Sequence, residues 1–214
     1  MSAPALHIRD LGLAEYVEVW RAMTAFTTKR GPLTADEVWT VEHPPVYTQG
    51  LNCALQPSGH SRIPVVKTDR GGQITYHGPG QLVVYVLIDL RRRGLGVKDV
   101  VRGLEQGVID LLAGCDIEGH RIHGAPGVYV HDEKVAALGL RVRRGATYHG
   151  LSVNVDMDLT PFTRIDPCGY AGLAVTQLRA LGIQRPMPVI RSDLIGRLCT
   201  WIEGREPRAA AGRG

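Results

Sequence analysis

The chain has 214 residues, a formal net charge of +4 and apolar side chains at 44% of its positions. This length predicts one domain with its own core. The small positive charge suits acidic protein partners but is too weak to indicate nucleic-acid binding. The four cysteines form no C-x-x-C pair, the first residues carry no secretory signal, and no apolar run has the length of a membrane span. A cytoplasmic protein with reduced thiols, which binds neither nucleic acid nor membrane, is therefore expected.

Apolar residues recur at helical spacing in three parts of the chain. They do so at 13–23, at 97–112 and at 190–203, which predicts an amphipathic helix in each place. A further short helix is expected at 176–181. Such stripes are far more often core packing than binding faces, so these helices are predicted to cover a sheet.

Strands are predicted between the helices. Residues 37–42 alternate, 82–90 form an apolar run suited to a central strand covered on both faces, and 127–142 resemble a hairpin followed by a strand at 147–155. Strands joined by tight turns beside a few helices favour an α+β domain with the helices packed on one side. This domain is expected to span 1–205, and the small, basic tail 206–214 is expected to be disordered.

A glycine-rich stretch from Asp69 to Tyr85 stands out. It contains four glycines and a Gly-Pro-Gly turn, and it predicts a strand, a tight turn and a second, buried strand. Glycine lets a ligand or another segment approach the backbone closely. Arg70, Tyr76 and His77 would then lie at the edge of the core. The composition alone supports a structural hairpin and a ligand-binding loop equally.

Cys168 is the candidate nucleophile, because it lies between a proline and a glycine that predict a turn facing a cleft. A cysteine attacks as the thiolate, and a free thiol needs a nearby cation or base to ionise at neutral pH. The side chains that could supply one are Lys134, His77, His123 and His149. Spacing does not choose among them. The other histidines, including His43, are expected to be polar loop or strand-end residues.

No metal or cofactor is expected. His120 and His123 have a plausible ligand spacing, but no third ligand and no helix accompany them. The chain has no Walker loop, and its Gly-Pro-Gly turn does not open a helix, so a phosphate-binding loop is not indicated.

Five blocks of sequence carry a family resemblance. They are Glu-His-Pro-Pro-Val-Tyr-Thr-Gln-Gly at 42–50, Arg-Gly-Gly-Gln-Ile-Thr-Tyr-His-Gly-Pro-Gly-Gln at 70–81, Lys-Val-Ala-Ala-Leu-Gly-Leu-Arg-Val at 134–142, His-Gly-Leu-Ser-Val-Asn at 149–154 and Asp-Pro-Cys-Gly at 166–169. In this order and spacing the chain resembles the lipoyl(octanoyl) transferases of the biotin/lipoate protein ligase superfamily. The resemblance covers most of the chain, from about the first helix to the segment after Cys168.

The resemblance implies a fold and an activity. The fold would be a single α+β domain with a mixed, mostly antiparallel sheet flanked by helices. The activity would be transfer of an octanoyl group from octanoyl-acyl carrier protein to a lysine of an acceptor protein. The acceptors would be the lipoyl domains of 2-oxoacid dehydrogenases and the glycine-cleavage H protein. Because the donor thioester is already activated, no cofactor would be needed.

The resemblance also assigns roles to residues. Cys168 matches the nucleophile that accepts the acyl group, and Lys134 matches the lysine that lowers the pKa of its thiol. The residues that match the substrate-lining segments are Arg70, Gly71, Gly72, Gln73, Ile74, Thr75, Tyr76, His77, Ala137, Leu138, Gly139, His149, Gly150 and Leu151. One departure is visible, because the family often has serine where this chain has Ala137.

Two other functions remain open. An ATP-dependent lipoate ligase of the same fold would bind an adenylate and would need no acyl-accepting cysteine. A non-catalytic module that binds lipoyl carriers would need neither Cys168 nor Lys134 for chemistry. A papain-like hydrolase is disfavoured, because the chain lacks a convincing order of cysteine, histidine and asparagine.

Overall fold

The computed structural model describes residues 5–51, 53, 56–59, 62–165 and 174–204. The described residues contain one large and one small sheet. The strands of the large sheet are β1 (His7–Leu13), β2 (Glu37–Glu42), β6 (Gln81–Leu87), β7 (His120–Ile122), β8 (Ala125–Val130), β9 (Glu133–Arg143) and β10 (Ala146–Asn154). Those of the small sheet are β3 (Val46–Gln49), β4 (Val65–Lys67) and β5 (Thr75–His77). The strand orders are β1-β2-β6-β10-β9-β8-β7 and β4-β3-β5.

The large sheet is mixed and mostly antiparallel. Only β1 and β2 run parallel in it among the described strands, and every other neighbouring pair is antiparallel. In the small sheet β3 runs parallel to β4 and antiparallel to β5. The predicted α+β class and the predicted sheet type are therefore confirmed.

Helices cover both faces of the large sheet. The helix α1 (Tyr16–Lys29) packs Val19 and Met23 against Tyr85 and its neighbours on one face. On the other face, α2 (Val97–Ala113) and α3 (Met187–Glu203) cover a larger cluster that includes Val84. The prediction that all helices lie on one side is wrong. The side chains of β6 are buried on both faces of the sheet. Helices must therefore pack against each face to shield these side chains from water.

The predicted helix at 176–181 is wrong. This segment follows an isolated bridge at Val175 and forms turns, because its backbone N–H groups bond to strands distant in sequence. Leu178 donates to the carbonyl oxygen of Asn154, and Thr176 donates to that of Lys134. The strand β1 was not predicted, because its mostly exposed side chains carry no apolar alternation.

Candidate functional site

A cavity lies on the α1 side of the sheet, between the glycine-rich stretch and the strands β9 and β10. It encloses about 740 Å³ of empty space, including its open mouth. Every predicted substrate-lining residue borders it except Gly71 and Tyr76. Lys134 borders it too. The structure thus brings together three segments that lie up to about 80 positions apart in the sequence.

Gly71 and Tyr76 support the wall from behind. The amide of Gly71 donates to the carbonyl oxygen of Leu140 at 3.0 Å, which joins the glycine-rich stretch to β9. Tyr76 is buried between Tyr47 and Phe162, with ring centroids 5.6 Å from each. Both residues therefore hold the shape of the cavity without lining it.

Several lining residues were not predicted. They are Tyr16, Val83, Tyr85, Ala136, Ser152, Asn154, Phe162 and Val175. The register explains part of this set, because Tyr85 pairs with Gly150 and Val83 pairs with Ser152 across β6 and β10. Directly paired residues point to the same face of a sheet. Because 82–87 is apolar at every position, the sequence did not indicate which of its side chains face the cavity.

Lys134 is almost completely buried at the start of β9. Its Nζ donates to the carbonyl oxygen of Pro126 at 3.3 Å and lies 5.2 Å from the ring centroid of Tyr129. Its backbone amide donates to the carbonyl oxygen of Ala174 at 2.9 Å, and its carbonyl accepts the amide of Thr176 at 3.0 Å. The Lys134 side chain is therefore shielded from solvent and held at its polar end.

Cys168 and the rest of 166–173 lie outside the described residues, as does the tail 205–214. Two described residues near this segment border the cavity. Phe162, six positions before Cys168, and Val175, seven positions after it, are both part of the lining.

A chain of hydrogen bonds connects the glycine-rich wall to β10. The Nε of Arg70 donates to the hydroxyl of Thr48, which lies 3.4 Å from His77 Nε2. The Nδ1 of His77 lies 2.7 Å from Gln81 Oε1. The Nε2 of Gln81 in turn donates to Asn154 Oδ1 at 2.9 Å. Gln81 Oε1 must therefore accept a proton held on His77 Nδ1. Burial and the nearby His43 lower the pKa of His77 to about 3, so its imidazole is neutral.

This chain of bonds continues to Lys134. The Nδ2 of Asn154 donates to the carbonyl oxygen of Thr176 at 2.9 Å, and the amide of Thr176 donates to that of Lys134. All of these groups are buried. Buried polar groups that satisfy one another hold their surroundings in one arrangement. The position of Lys134 is thereby tied to the wall that contains Arg70.

A second polar cluster lies at another part of the lining. The Asp69 carboxylate accepts hydrogen bonds from Trp20, Tyr148 and His149. Burial opposes ionisation, but these donors outweigh it and lower the pKa of Asp69. His149 therefore donates from Nε2, and burial lowers its own pKa, so the ring is neutral. Its buried Nδ1 has no hydrogen-bond partner among the described residues.

His43 is buried behind the lining, although the sequence predicted a polar loop or strand-end residue. Its Nδ1 lies 2.6 Å from the carbonyl oxygen of Ala14, so it must carry the proton, and its Nε2 then accepts the hydroxyl of Tyr85 at 2.8 Å. Burial lowers the pKa of His43 to about 4. A neutral His43 fixes the ring of Tyr85 in the lining.

The family model for the lipoyl protein ligase A/B catalytic domain matches residues 15–193. The octanoyltransferase of Nitrosococcus oceani is 56% identical over 197 residues, covering 91% of this chain and 87% of that protein. The octanoyltransferase of Pseudomonas entomophila is 53% identical over 211 residues and covers 97% of both chains. A crystal structure of lipoate-protein ligase A bound with ATP shares the fold, with a TM-score of 0.71 at 13% identity, covering 97% of this chain and 88% of that one.

A cavity beside a mixed sheet flanked by helices gives this protein the lipoate-ligase fold. The chain belongs to the lipoyl protein ligase A/B catalytic-domain family, and its curated relatives are octanoyltransferases. The predicted resemblance, the predicted fold and the prediction of an acyltransferase enzyme are confirmed. A purely carrier-binding module is therefore excluded.

Proposed function

We propose that this chain transfers an octanoyl group from octanoyl-acyl carrier protein to a lysine of a lipoyl domain or of the glycine-cleavage H protein. The acyl group passes through a thioester on Cys168. The observation that carries this proposal is the buried Lys134, which borders the cavity and is bonded to Ala174 in the chain that follows Cys168.

The chain between Cys168 and Ala174 supports the pairing of Cys168 with Lys134. Five residues lie between these two positions, so their Cα atoms are at most about 20 Å apart even if the chain is fully extended. Ala174 is fixed on the Lys134 amide, and Val175 borders the cavity. This limit is compatible with the proposed pairing of the thiol with Lys134, the only buried lysine among the described residues.

The first half of the reaction exchanges one thioester for another. The Cys168 thiol gives its proton to the Lys134 amine, and the thiolate attacks the donor carbonyl. The new C–S bond forms, the bond to the carrier sulfur breaks, and the carrier leaves as a thiol with the proton from Lys134. Pairing of the thiolate with the ammonium stabilises both charges in a site that is largely shielded from water.

The second half forms the amide. The acceptor amine attacks the acyl carbonyl on Cys168, the C–N bond forms and the C–S bond breaks. Lys134 takes the proton that the amine loses and returns it to the departing thiolate. The amide is more stable than the thioester, and this difference drives the transfer forward.

The cavity suits an eight-carbon chain. Val83, Ile74 and Phe162 contribute apolar surface to its lining, and burial stabilises a chain by about 0.8 kcal/mol per methylene. Backbone amides near Gly72 and Gly139 are candidates to stabilise the oxyanion. The amide of Gly71 is already bonded to Leu140 and is not a candidate.

The second candidate is an ATP-dependent ligase of the same fold, favoured by the structural likeness to an ATP-bound lipoate-protein ligase. The names of the much more similar relatives favour the transferase. The proposed thiol chemistry is also suited to the cytoplasm, where thiols stay reduced.

Intact-mass analysis after incubation with octanoyl-acyl carrier protein tests the proposal. Without ATP, the wild-type chain should gain one octanoyl group, and Cys168→Ser should gain no hydroxylamine-labile thioester. A lipoyl domain added next should remove the group from the wild-type chain and become octanoylated. ATP-dependent octanoylation of the lipoyl domain by Cys168→Ser would instead establish the ligase. Cys115→Ser is the matched control, because Cys115 packs against the core and does not border the cavity.

A further inference from the structure

The strand β9 contains an irregularity beside Lys134. From Ala136 onward its even-numbered residues face the cluster under α2 and α3, since Ala136 belongs to that cluster and Leu138 and Leu140 pack against it. Side chains alternate between the faces of a strand. An uninterrupted strand would therefore turn Lys134 into the same apolar cluster.

One extra residue prevents this. Val128 pairs with Ala136, but Tyr129 pairs with Lys134, so Val135 is an unpaired residue between them. Val135 is buried in the same cluster as Ala136. A bulge of this kind re-aims the side chain beside it. Lys134 consequently shares its face with Tyr129, the residue directly opposite, and borders the cavity.

Three residues of β8 then form what we call the Lys134 seat: Pro126, Gly127 and Tyr129. The carbonyl oxygen of Pro126 accepts from the Lys134 Nζ at 3.3 Å, and the Tyr129 ring centroid lies 5.2 Å from that nitrogen. Gly127 has a φ of 146°, and a Cβ there would lie 3.1 Å from the Lys134 Cε. Only glycine leaves the space that the lysine stem occupies.

Hydrogen bonds from neighbouring residues hold the Lys134 seat in place. The Tyr129 hydroxyl donates to the carbonyl oxygen of Ala125 at 3.1 Å, which sets the orientation of the ring. Glu105 on α2 accepts the Gly127 amide at 3.1 Å with one oxygen and pairs with Arg121 at 2.9 Å through the other. The carboxylate that contacts the seat is thus already paired with Arg121, while the Tyr129 ring face and the Pro126 carbonyl contact the Lys134 amine.

We propose that Tyr129 is a positioning residue of the transfer reaction, whose ring holds the Lys134 ammonium on the cavity side of β9. This inference rests on the proposed function, in which Lys134 takes the proton of Cys168. A cation lying over an aromatic ring is attracted by the ring face. The ring therefore stabilises the thiolate–ammonium pair that begins each turnover.

Two substitutions of Tyr129 separate the ring from its hydroxyl. Tyr129→Phe keeps the ring and should keep the pH dependence of acylation. Tyr129→Leu removes the ring, so the thiolate should form at a pH about one unit higher, and acylation at neutral pH should slow on the order of tenfold. The pH dependence of Cys168 alkylation by iodoacetamide and that of acyl-enzyme formation from octanoyl-acyl carrier protein are the two measurements.

A core variant controls for lost stability. Leu111→Ala removes a fully buried side chain from α2 and should destabilise the fold without shifting either pH profile. The inference is overturned if the inflection of the two pH profiles in Tyr129→Leu stays at the wild-type pH. It is also overturned if Tyr129→Phe or Leu111→Ala shifts that inflection as far as Tyr129→Leu does.

The proposed function fails by a different result. If Cys168→Ser or Lys134→Ala still passes octanoate from the carrier to a lipoyl domain at the wild-type rate, the covalent mechanism is wrong whatever Tyr129 does. If both variants are inactive and Tyr129→Leu behaves as the wild type, only the role of Tyr129 is rejected.

Discussion

Ala137 and Ser152 lie directly opposite each other on β9 and β10, and both border the cavity. Paired side chains on one face of a sheet have Cβ atoms about 5 Å apart. A hydroxyl on either residue therefore reaches nearly the same volume. Ser152 can thus supply the polar group that the lipoyl(octanoyl) transferases often carry at the position of Ala137.

Ser152→Ala should raise the KM for octanoyl-acyl carrier protein about three- to tenfold, because the substrate would lose the binding free energy of one hydrogen bond. The double variant Ala137→Ser with Ser152→Ala should return the KM toward that of the wild type, because the hydroxyl is restored from the other strand. Steady-state kinetics at saturating lipoyl domain measures both values. An unchanged KM in Ser152→Ala would show that this hydroxyl does not contact substrate.

At the level of the elements, a buried charge cluster joins the end of α1, the start of β2 and the turn after β6. The Asp36 carboxylate lies within 2.8 Å of nitrogen atoms on Arg30, Arg92 and Arg93, and its side chain is fully buried. Burial opposes its ionisation, but hydrogen bonds from Arg93 and from the Asp89 amide outweigh this and lower the pKa of Asp36. One carboxylate thus contacts three guanidinium groups.

Asp36→Asn should lower the free energy of unfolding by about 3–5 kcal/mol, because it leaves buried guanidinium charges without a counter-charge. Urea unfolding measures the loss. Asp156→Asn is the matched control, since its pair with Arg179 is more than half exposed and should contribute about 0–1 kcal/mol. Equal losses in the two variants would contradict this account of the cluster.

The elements differ in how far sequence predicted them. The helix at 97–113 has a strong apolar period, the helix at 187–203 has a weaker one, and the strand at 81–87 is a continuous apolar run, so their existence and approximate bounds were predictable. The segment from Ala174 to Leu178 was not, because Lys134 and Asn154 determine its conformation. Local sequence gives no signal for such bonds. The bulge at Val135 was hidden for the same reason, since it exists only relative to β8.

In the site, too, features with a local sequence signal were predictable and features that depend on distant contacts were not. Family motifs named most of the cavity lining, including Lys134, but residues fixed by strand register, such as Tyr85 and Ser152, needed the structure. His43 was missed because its partners, Ala14 and Tyr85, lie up to 42 positions away. A lone histidine after a strand carries no sign of burial.

At the scale of the whole molecule, three buried histidines make stability depend on pH. Burial lowers the pKa of His43 to about 4, that of His77 to about 3, and that of His149 as well. A histidine in the unfolded chain titrates near about 6.5. Below that value the unfolded chain binds protons that the folded chain does not, so stability falls as pH falls.

The free energy of unfolding should therefore decrease between about pH 7 and pH 4, by up to about 1.4 kcal/mol per pH unit for each histidine. Urea unfolding at a series of pH values measures this slope. His43→Gln should reduce the slope of the free energy of unfolding against pH by the contribution of one histidine. His7→Gln, at an exposed position of β1, should leave this slope unchanged. A slope of zero in the wild type would contradict the burial of neutral histidines.

The burial of β6 on both faces has a consequence for inactivation. Val83 and Tyr85 line the cavity, while the intervening Val84 lies in the cluster covered by α2 and α3. The strand β6 therefore belongs to both the site and the main core. If β6 separates from one of them, it separates from the other as well. The cavity floor is part of the cooperative folding unit, which makes loss of the site and global unfolding a single event.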